Sequence, residues 1–240
     1  MYVRKASPNS QAIILVSALR PSGRQAMTAA HELGHHAFGH GTRIDQYVAD
    51  TDEPQASHSL EPEEVIANMF AAFFLMPKAT VEHGFTARGW SPASATPAQV
   101  FAVAGWLGVG YGALVYHMKA SLGMLSAPAA KALLSVQPKR LRQQIVGRAT
   151  SADCFLLDQA WTGRPLDLQV DDLVFADRGT NVDGDCLLLG PVTADGRQVI
   201  QAVATGLGRV VGSSWATFAR VRPRGFVGRS MFRHLESAED

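Results

Sequence analysis

Two histidines four residues apart, His31 and His35, enclose Glu32 in the stretch Ala30-His31-Glu32-Leu33-Gly34-His35-His36, a His-Glu-x-x-His pattern. On a helix, side chains four apart lie one above the other on the same face, so both imidazoles can ligate one metal ion. Glu32 falls beside that face, where a carboxylate reaches a water activated by the ion without being a ligand itself. Two histidines, one more protein ligand and an open fourth position make a catalytic zinc arrangement, whereas structural zinc sites are closed. The pattern thus points to a hydrolytic chemistry as well as to a metal. His36 and His40 form a second pair at the same spacing, rotated about the axis. The simpler reading is that His36 caps or packs and His40 lies near the helix end, the other being alternative or additional metal binding.

The third ligand has to come from another element. Residues 61–76 read Glu61-Pro62-Glu63-Glu64-Val65-Ile66-Ala67-Asn68-Met69-Phe70-Ala71-Ala72-Phe73-Phe74-Leu75-Met76. Pro62 suits a helix first turn, the acids complement the dipole there, and Pro77 stops the helix. From Val65 onward it is apolar nearly all round, which predicts the central buried helix of the domain. A carboxylate where such a helix enters the core needs a compensating partner, and a metal ion is a good one. Glu64 is the deepest of the three acids and is the expected ligand, with Glu61 and Glu63 as solvated first-turn acids. Asn68, one turn on, is placed to hydrogen-bond a ligand histidine and fix its tautomer.

His31-Glu32-Leu33-Gly34-His35, followed by Glu64-x-x-Ala67-Asn68-x-Phe70-Ala71-Ala72 and Leu75-Met76-Pro77, resembles the ImmA/IrrE family of bacterial metallopeptidases over about the first half of the chain. The resemblance implies a zincin-like fold, Zn2+ held by His31, His35 and Glu64, and Glu32 as catalytic acid/base. It also implies a protein substrate, a helix-turn-helix repressor whose cleavage induces genes of mobile elements or of the DNA-damage response. Thermolysin-like zincins open a Glu-x-x-x-Asp pattern with the third ligand, and here Asn68 takes the fifth place. Members usually carry more chain ahead of the metal helix than this one, which predicts a reduced sheet.

The elements that position these residues can be read from their flanks. Ser22 and Gly23 open the metal helix, alanines and Gln25 favour it, and glycines at 39 and 41 close it. Gly34, between the histidines, costs about 1 kcal/mol relative to alanine, so a close neighbour is expected there. Residues 12–16 are a short β-branched run that reads as a strand, whose edge could accept an extended peptide. Residues 42–59 are a polar, acidic loop beside the site, with Tyr47 and His58 as candidates for holding an oxyanion, although surface placement is the simpler reading. Residues 78–95 read as a connection. Thr96-Pro97-Ala98-Gln99 is a capping box opening a helix to 107, and Gly108-Val109-Gly110 separates it from a helix over 111–122. That pair could be a DNA-binding helix-turn-helix, but Lys119 is its main cation and Val115, Tyr116 and Met118 read as packing residues. Tyr111, Tyr116 and His117 are further candidates to polarise a carbonyl. Short helices follow at 128–134 and 138–146.

From residue 153 the texture changes to short alternating runs, read as strands at 166–170, 173–175, 186–189, 199–203 and 218–221, with turns at 181–184 and 195–196. Acids dominate the first part of this region. Arg209, Arg220, Arg222, Arg224, Arg229 and Arg233 then follow with no acid until Glu236. Such an arginine run could meet a nucleic acid or an acidic partner, ordinary surface placement being the simpler reading.

The fold class expected is α+β: a mainly helical zincin-like metallopeptidase domain with a short N-terminal strand region over 1–149, then a small β-rich domain, sensory or partner-binding, over 150–240. A chain of 240 residues with 47% hydrophobic content buries a full core, and a net charge of +1 offers no global argument for nucleic acid or membrane. No apolar run approaches the roughly 18 residues of a membrane span, and the run after Arg4-Lys5 is too short for a signal peptide. The protein therefore reads as cytoplasmic. Cys154 and Cys186 read as buried thiols rather than a disulfide or zinc knuckle. The function expected is a zinc-dependent regulatory endopeptidase acting on a repressor or antitoxin-like partner. Its rivals are a non-cleaving repressor-binding regulator with a structural metal, and a DNA-binding regulator using 96–122 or the arginine-rich end.

Overall fold

Two short strands, β1 (Tyr2–Val3) and β2 (Ile13–Ile14), pair antiparallel ahead of the first helix, with Tyr2 opposite Ile14. The computed structural model describes residues 2–3, 12–16, 22–41, 61–147, 150 and 152–224. The loop with Tyr47 and His58, and the arginines at 229 and 233, lie outside the described residues. The chain forms two units, Met1–Thr150 and Ser151–Asp240.

In the first unit, α1 (Ser22–Ala37) carries the histidine pair mid-helix. It ends at Gly39, whose φ of +70° suits a residue without a side chain. The Gly39 N–H donates to His36 O (3.2 Å) and the His40 N–H to His35 O (2.9 Å), which is a Schellman cap. α2 (Pro62–Leu75) starts with its proline in the first turn, as its sequence predicts. α1 crosses α2 closely at Gly34, where a Cβ would sit 3.1 Å from Ala67 Cα. This is the close neighbour that a glycine between two ligands implies.

Two expectations fail here. The stretch 78–95 is no mere connection: α3 (Lys78–Thr86) begins directly after Pro77, and a single 3-10 turn covers Pro92–Ser94. Pro77 ends one helix but, standing at the N-cap of the next, leaves Lys78 free to start it. Nor is α2 the buried centre. Only Ala67 and Ala71 are fully buried within it, while Met69 is 53% and Phe74 58% exposed. Small residues allow the close crossing with α1, so the helix buries its alanine side and leaves large apolar side chains outside. All-round apolarity cannot say which side will be covered.

The buried centre is instead α4 (Pro97–Leu107), with Val100, Val103, Trp106 and Leu107 inside. Thr96 and Gln99 form the predicted capping box in both directions. α5 (Tyr111–Ala120) turns away from α4 by 100° and buries Tyr111, Leu114, Val115, His117 and Met118, so its packing face is inside the unit. α6 (Ala127–Leu134) and α7 (Pro138–Val146) complete the unit. Among the described residues no single helix is long and apolar enough to cross a membrane.

The second unit is built from β3 (Cys154–Leu156), β4 (Leu166–Gln169), β5 (Leu173–Ala176), β6 (Asn181–Asp183), β7 (Leu187–Val192), β8 (Gln198–Ala202), β9 (Gly206–Val211) and β10 (Ala216–Arg222). They form two four-stranded sheets in the orders β3-β5-β8-β7 and β4-β10-β9-β6, parallel at β3/β5 and β4/β10 and antiparallel elsewhere. β3, β6 and β9 were not legible as strands. β6 occupies the stretch read as a turn, and β9 carries two glycines, which dilute the alternation. Both cysteines are buried thiols.

Candidate metal centre

The α1–α2 crossing brings three donor side chains to one point. His31 Nε2 and His35 Nε2 are 3.0 Å apart, His31 Nε2 is 3.2 Å from Glu64 Oε2, and His35 Nε2 is 3.4 Å from Glu64 Oε1. These are the donors the sequence singled out, and all three lie within 4.8 Å of one another. A tetrahedral ion with nitrogen and oxygen ligands at about 2.0–2.1 Å separates its donors by about 3.3 Å, so the set fits a small divalent cation. Two nitrogen lone pairs and a carboxylate this close repel one another unless a proton or a metal cation sits among them, and the donor set can hold either.

The outer ring nitrogens set the inner ones. His31 Nδ1 lies 3.0 Å from Asn68 Oδ1, an acceptor, so Nδ1 carries the proton and Nε2 keeps its lone pair toward Glu64. His35 Nδ1 lies 2.9 Å from His40 Nδ1. The spacing alone places His40 near the helix end or makes it an alternative or additional ligand, not a partner of His35 Nδ1. The signal that places it was present: glycine at the helix stop, with histidine in the position that a Schellman turn folds back over His35.

The centre is closed on one side and open on the other. The side chain of His35 is 0% exposed, that of His31 13% and that of Glu64 19%, so solvent reaches the donors past His31 and Glu64. Glu32, adjacent to His31 on α1, is fully buried. A carboxylate in that setting is costly without hydrogen bonds or positive charge, and a divalent ion held by the neighbouring His31 would supply the charge.

Other candidates go elsewhere. His117 Nε2 donates to Met76 O at 2.9 Å, its ring packs edge-on against Phe73, and burial lowers its pKa. Met76 follows Glu64 by twelve residues, about 18 Å along the helix axis, so His117 does not face the centre. The Tyr111 hydroxyl donates to Leu133 O at 3.0 Å, and burial pushes its pKa up to about 12. Tyr116 is exposed beside Lys119 and Lys131. His36 is exposed on α1. In the second unit the arginine run is partly answered: Arg220 Nε donates to Asp167 (2.7 Å) and Arg224 Nη1 to Asp171 (3.4 Å), while Arg209 lies over the Phe218 ring.

Residues 2–119 match the family model of peptidase family M78, described as an IrrE N-terminal-like domain. No curated protein and no solved structure matches the chain.

Proposed function

The chain belongs, through its N-terminal unit, to the ImmA/IrrE family of metallopeptidases, and from that premise we propose that it is a zinc-dependent endopeptidase cutting one protein partner, a helix-turn-helix repressor or antitoxin-like protein. The observation that carries the reading is the convergence of His31, His35 and Glu64, donors of the type and number that catalytic zinc takes. A zinc ion there supplies Lewis-acid polarisation of a carbonyl and a water of lowered pKa.

The chain's own residues do the rest. Glu32 takes a proton from water as the oxygen bonds to the scissile carbonyl carbon, then returns it to the amine as the C–N bond breaks. Asn68 holds the His31 ring, and burial holds His35, so the donors need little reorganisation. The arginines paired with Asp167 and Asp171 give a DNA-binding reading of that end no added support.

The test is to incubate the protein with zinc and candidate helix-turn-helix proteins, those encoded next to its gene first, and to look for fragments by mass spectrometry. One defined cut that requires both zinc and Glu32 is the expected result. Tight binding without any fragment would leave a non-cleaving regulator in its place.

A further inference from the structure

The turn that ends α1 lies directly against a ligand of the metal centre. In a Schellman cap the residue after the left-handed glycine folds back over the residue five before it, and the two side chains usually make an apolar contact. Here that pair is His40 over His35, with His40 N–H to His35 O at 2.9 Å and the two Nδ1 atoms at 2.9 Å. His40 is only 8% exposed, packs edge-on against the His35 ring with centroids 5.0 Å apart, and is covered on its other side by Phe38, stacked at 6.0 Å. Phe38 in turn meets Phe70 of α2 edge-on, so both helices hold the imidazole pair.

One proton must lie between the two Nδ1 atoms, because two bare lone pairs or two N–H groups at that distance repel. If it belongs to His35, then His35 Nε2 presents its lone pair to Glu64 and His31. His40 is then the neutral tautomer protonated at Nε2. We propose that His40 is a positioning residue for His35: its Nδ1 accepts from His35 Nδ1–H and fixes the tautomer and ring orientation in which Nε2 is a metal donor. Carboxylates and backbone carbonyls are the usual acceptors in this position. A histidine supplied by the helix's own cap does the same work here, as Asn68 does for His31. The inference rests on the reading of His31, His35 and Glu64 as a metal centre.

Three variants and one spectrum test it in the full chain. In metal-free, 15N-labelled protein, two-bond 1H–15N correlations should show His35 protonated at Nδ1 and His40 at Nε2. His40→Leu keeps the apolar contact that such caps favour but has no acceptor. It should fold, lose the fixed His35 tautomer, and bind zinc about 10–100-fold more weakly in competition with a chromophoric chelator. His40→Asn sets an amide oxygen where Nδ1 was and should restore most of the affinity, whereas His40→Gln sets it one carbon further out and should not. A His35 proton on Nε2 in the unmodified chain, wild-type zinc affinity in His40→Leu, or equal affinities for the Asn and Gln variants would each overturn the assignment. Should His40→Leu not fold, the spectrum and the Asn/Gln comparison still decide. If the unmodified chain binds no zinc at all, it is the metal centre that fails; if it binds and His40→Leu binds equally, only the role of His40 does.

Discussion

A Cβ on Gly34 would sit 3.1 Å from Ala67 Cα and 3.1 Å from the Phe70 ring, so α1 and α2 meet almost backbone to backbone one residue before His35. This contact sets the distance between the histidine pair and Glu64. Gly34→Ala gains about 1 kcal/mol of helix propensity and loses about 1–3 kcal/mol to overpacking. The expected outcome is a small net loss of stability in thermal melts, with a clear loss of zinc affinity by chelator competition. Unchanged affinity would mean that the crossing has slack and does not position Glu64.

Asn68 accepts from His31 Nδ1 at 3.0 Å. Asn68→Ala removes that acceptor and should weaken zinc binding about tenfold. Asn68→Asp keeps an acceptor and adds negative charge, so it should bind zinc at least as tightly as the parent. Isothermal titration of both variants checks the order, and an Ala variant as tight as the Asp variant would remove Asn68 from the account.

Glu32 is separable from the ligands. Glu32→Gln should retain zinc while cleavage of a true substrate falls at least about 100-fold, whereas His35→Ala should lose both. Zinc should also stabilise the parent and Glu32→Gln alike, by about 2.7 kcal/mol at a hundredfold excess over Kd, and leave His35→Ala unaffected. Full hydrolysis by Glu32→Gln rules out its role as the base.

Asp172 sits between β4 and β5, where its two carboxylate oxygens accept from Gln169 N (2.8 Å) and Asp153 N (3.2 Å). Burial pushes its pKa up to about 6 from an ordinary 3.8, outweighing the N–H bonds that pull it down. The native state therefore keeps this proton at pH values where the unfolded chain has lost it. Stability of the second unit should fall as pH rises from about 4 to about 6 and then level off, with a slope of at most about 1.4 kcal/mol per pH unit. Asp172→Asn should abolish the slope and, with one backbone N–H left facing an amide NH2, cost about 1–3 kcal/mol throughout. Hydrogen exchange at the Gln169 and Asp153 amides follows this, and parallel pH profiles for parent and variant would contradict it.

Local order was legible wherever it is a matter of period and punctuation. The helical repeat puts His31 and His35 on one face whatever surrounds them. Thr96 and Gln99 cap their own helix through bonds spanning three residues. Gly34 announced a close neighbour because no other residue tolerates one so well. The strands with clean alternation could be read, while β9, with glycines at 206 and 208, could not.

Which faces meet was a different matter, because it is decided by packing summed over the whole unit. The composition of α2 marks it as apolar but not as half outside; the alanine side won because it permits the close crossing at Gly34. The acids and arginines of the second unit are segregated along the chain, yet parallel pairing of β4 with β10 sets Asp167 opposite Arg220 across 53 positions. The sequence by itself determined two imidazoles on one helix face, a nearby base and a carboxylate at the start of a second helix. Only the tertiary structure decided that Glu64 stands 3.2 Å from His31 and that His40 folds back onto His35. Periodicity acts within a few residues, whereas the approach of α2 to α1 depends on what the rest of the unit gains by burying its own apolar surface.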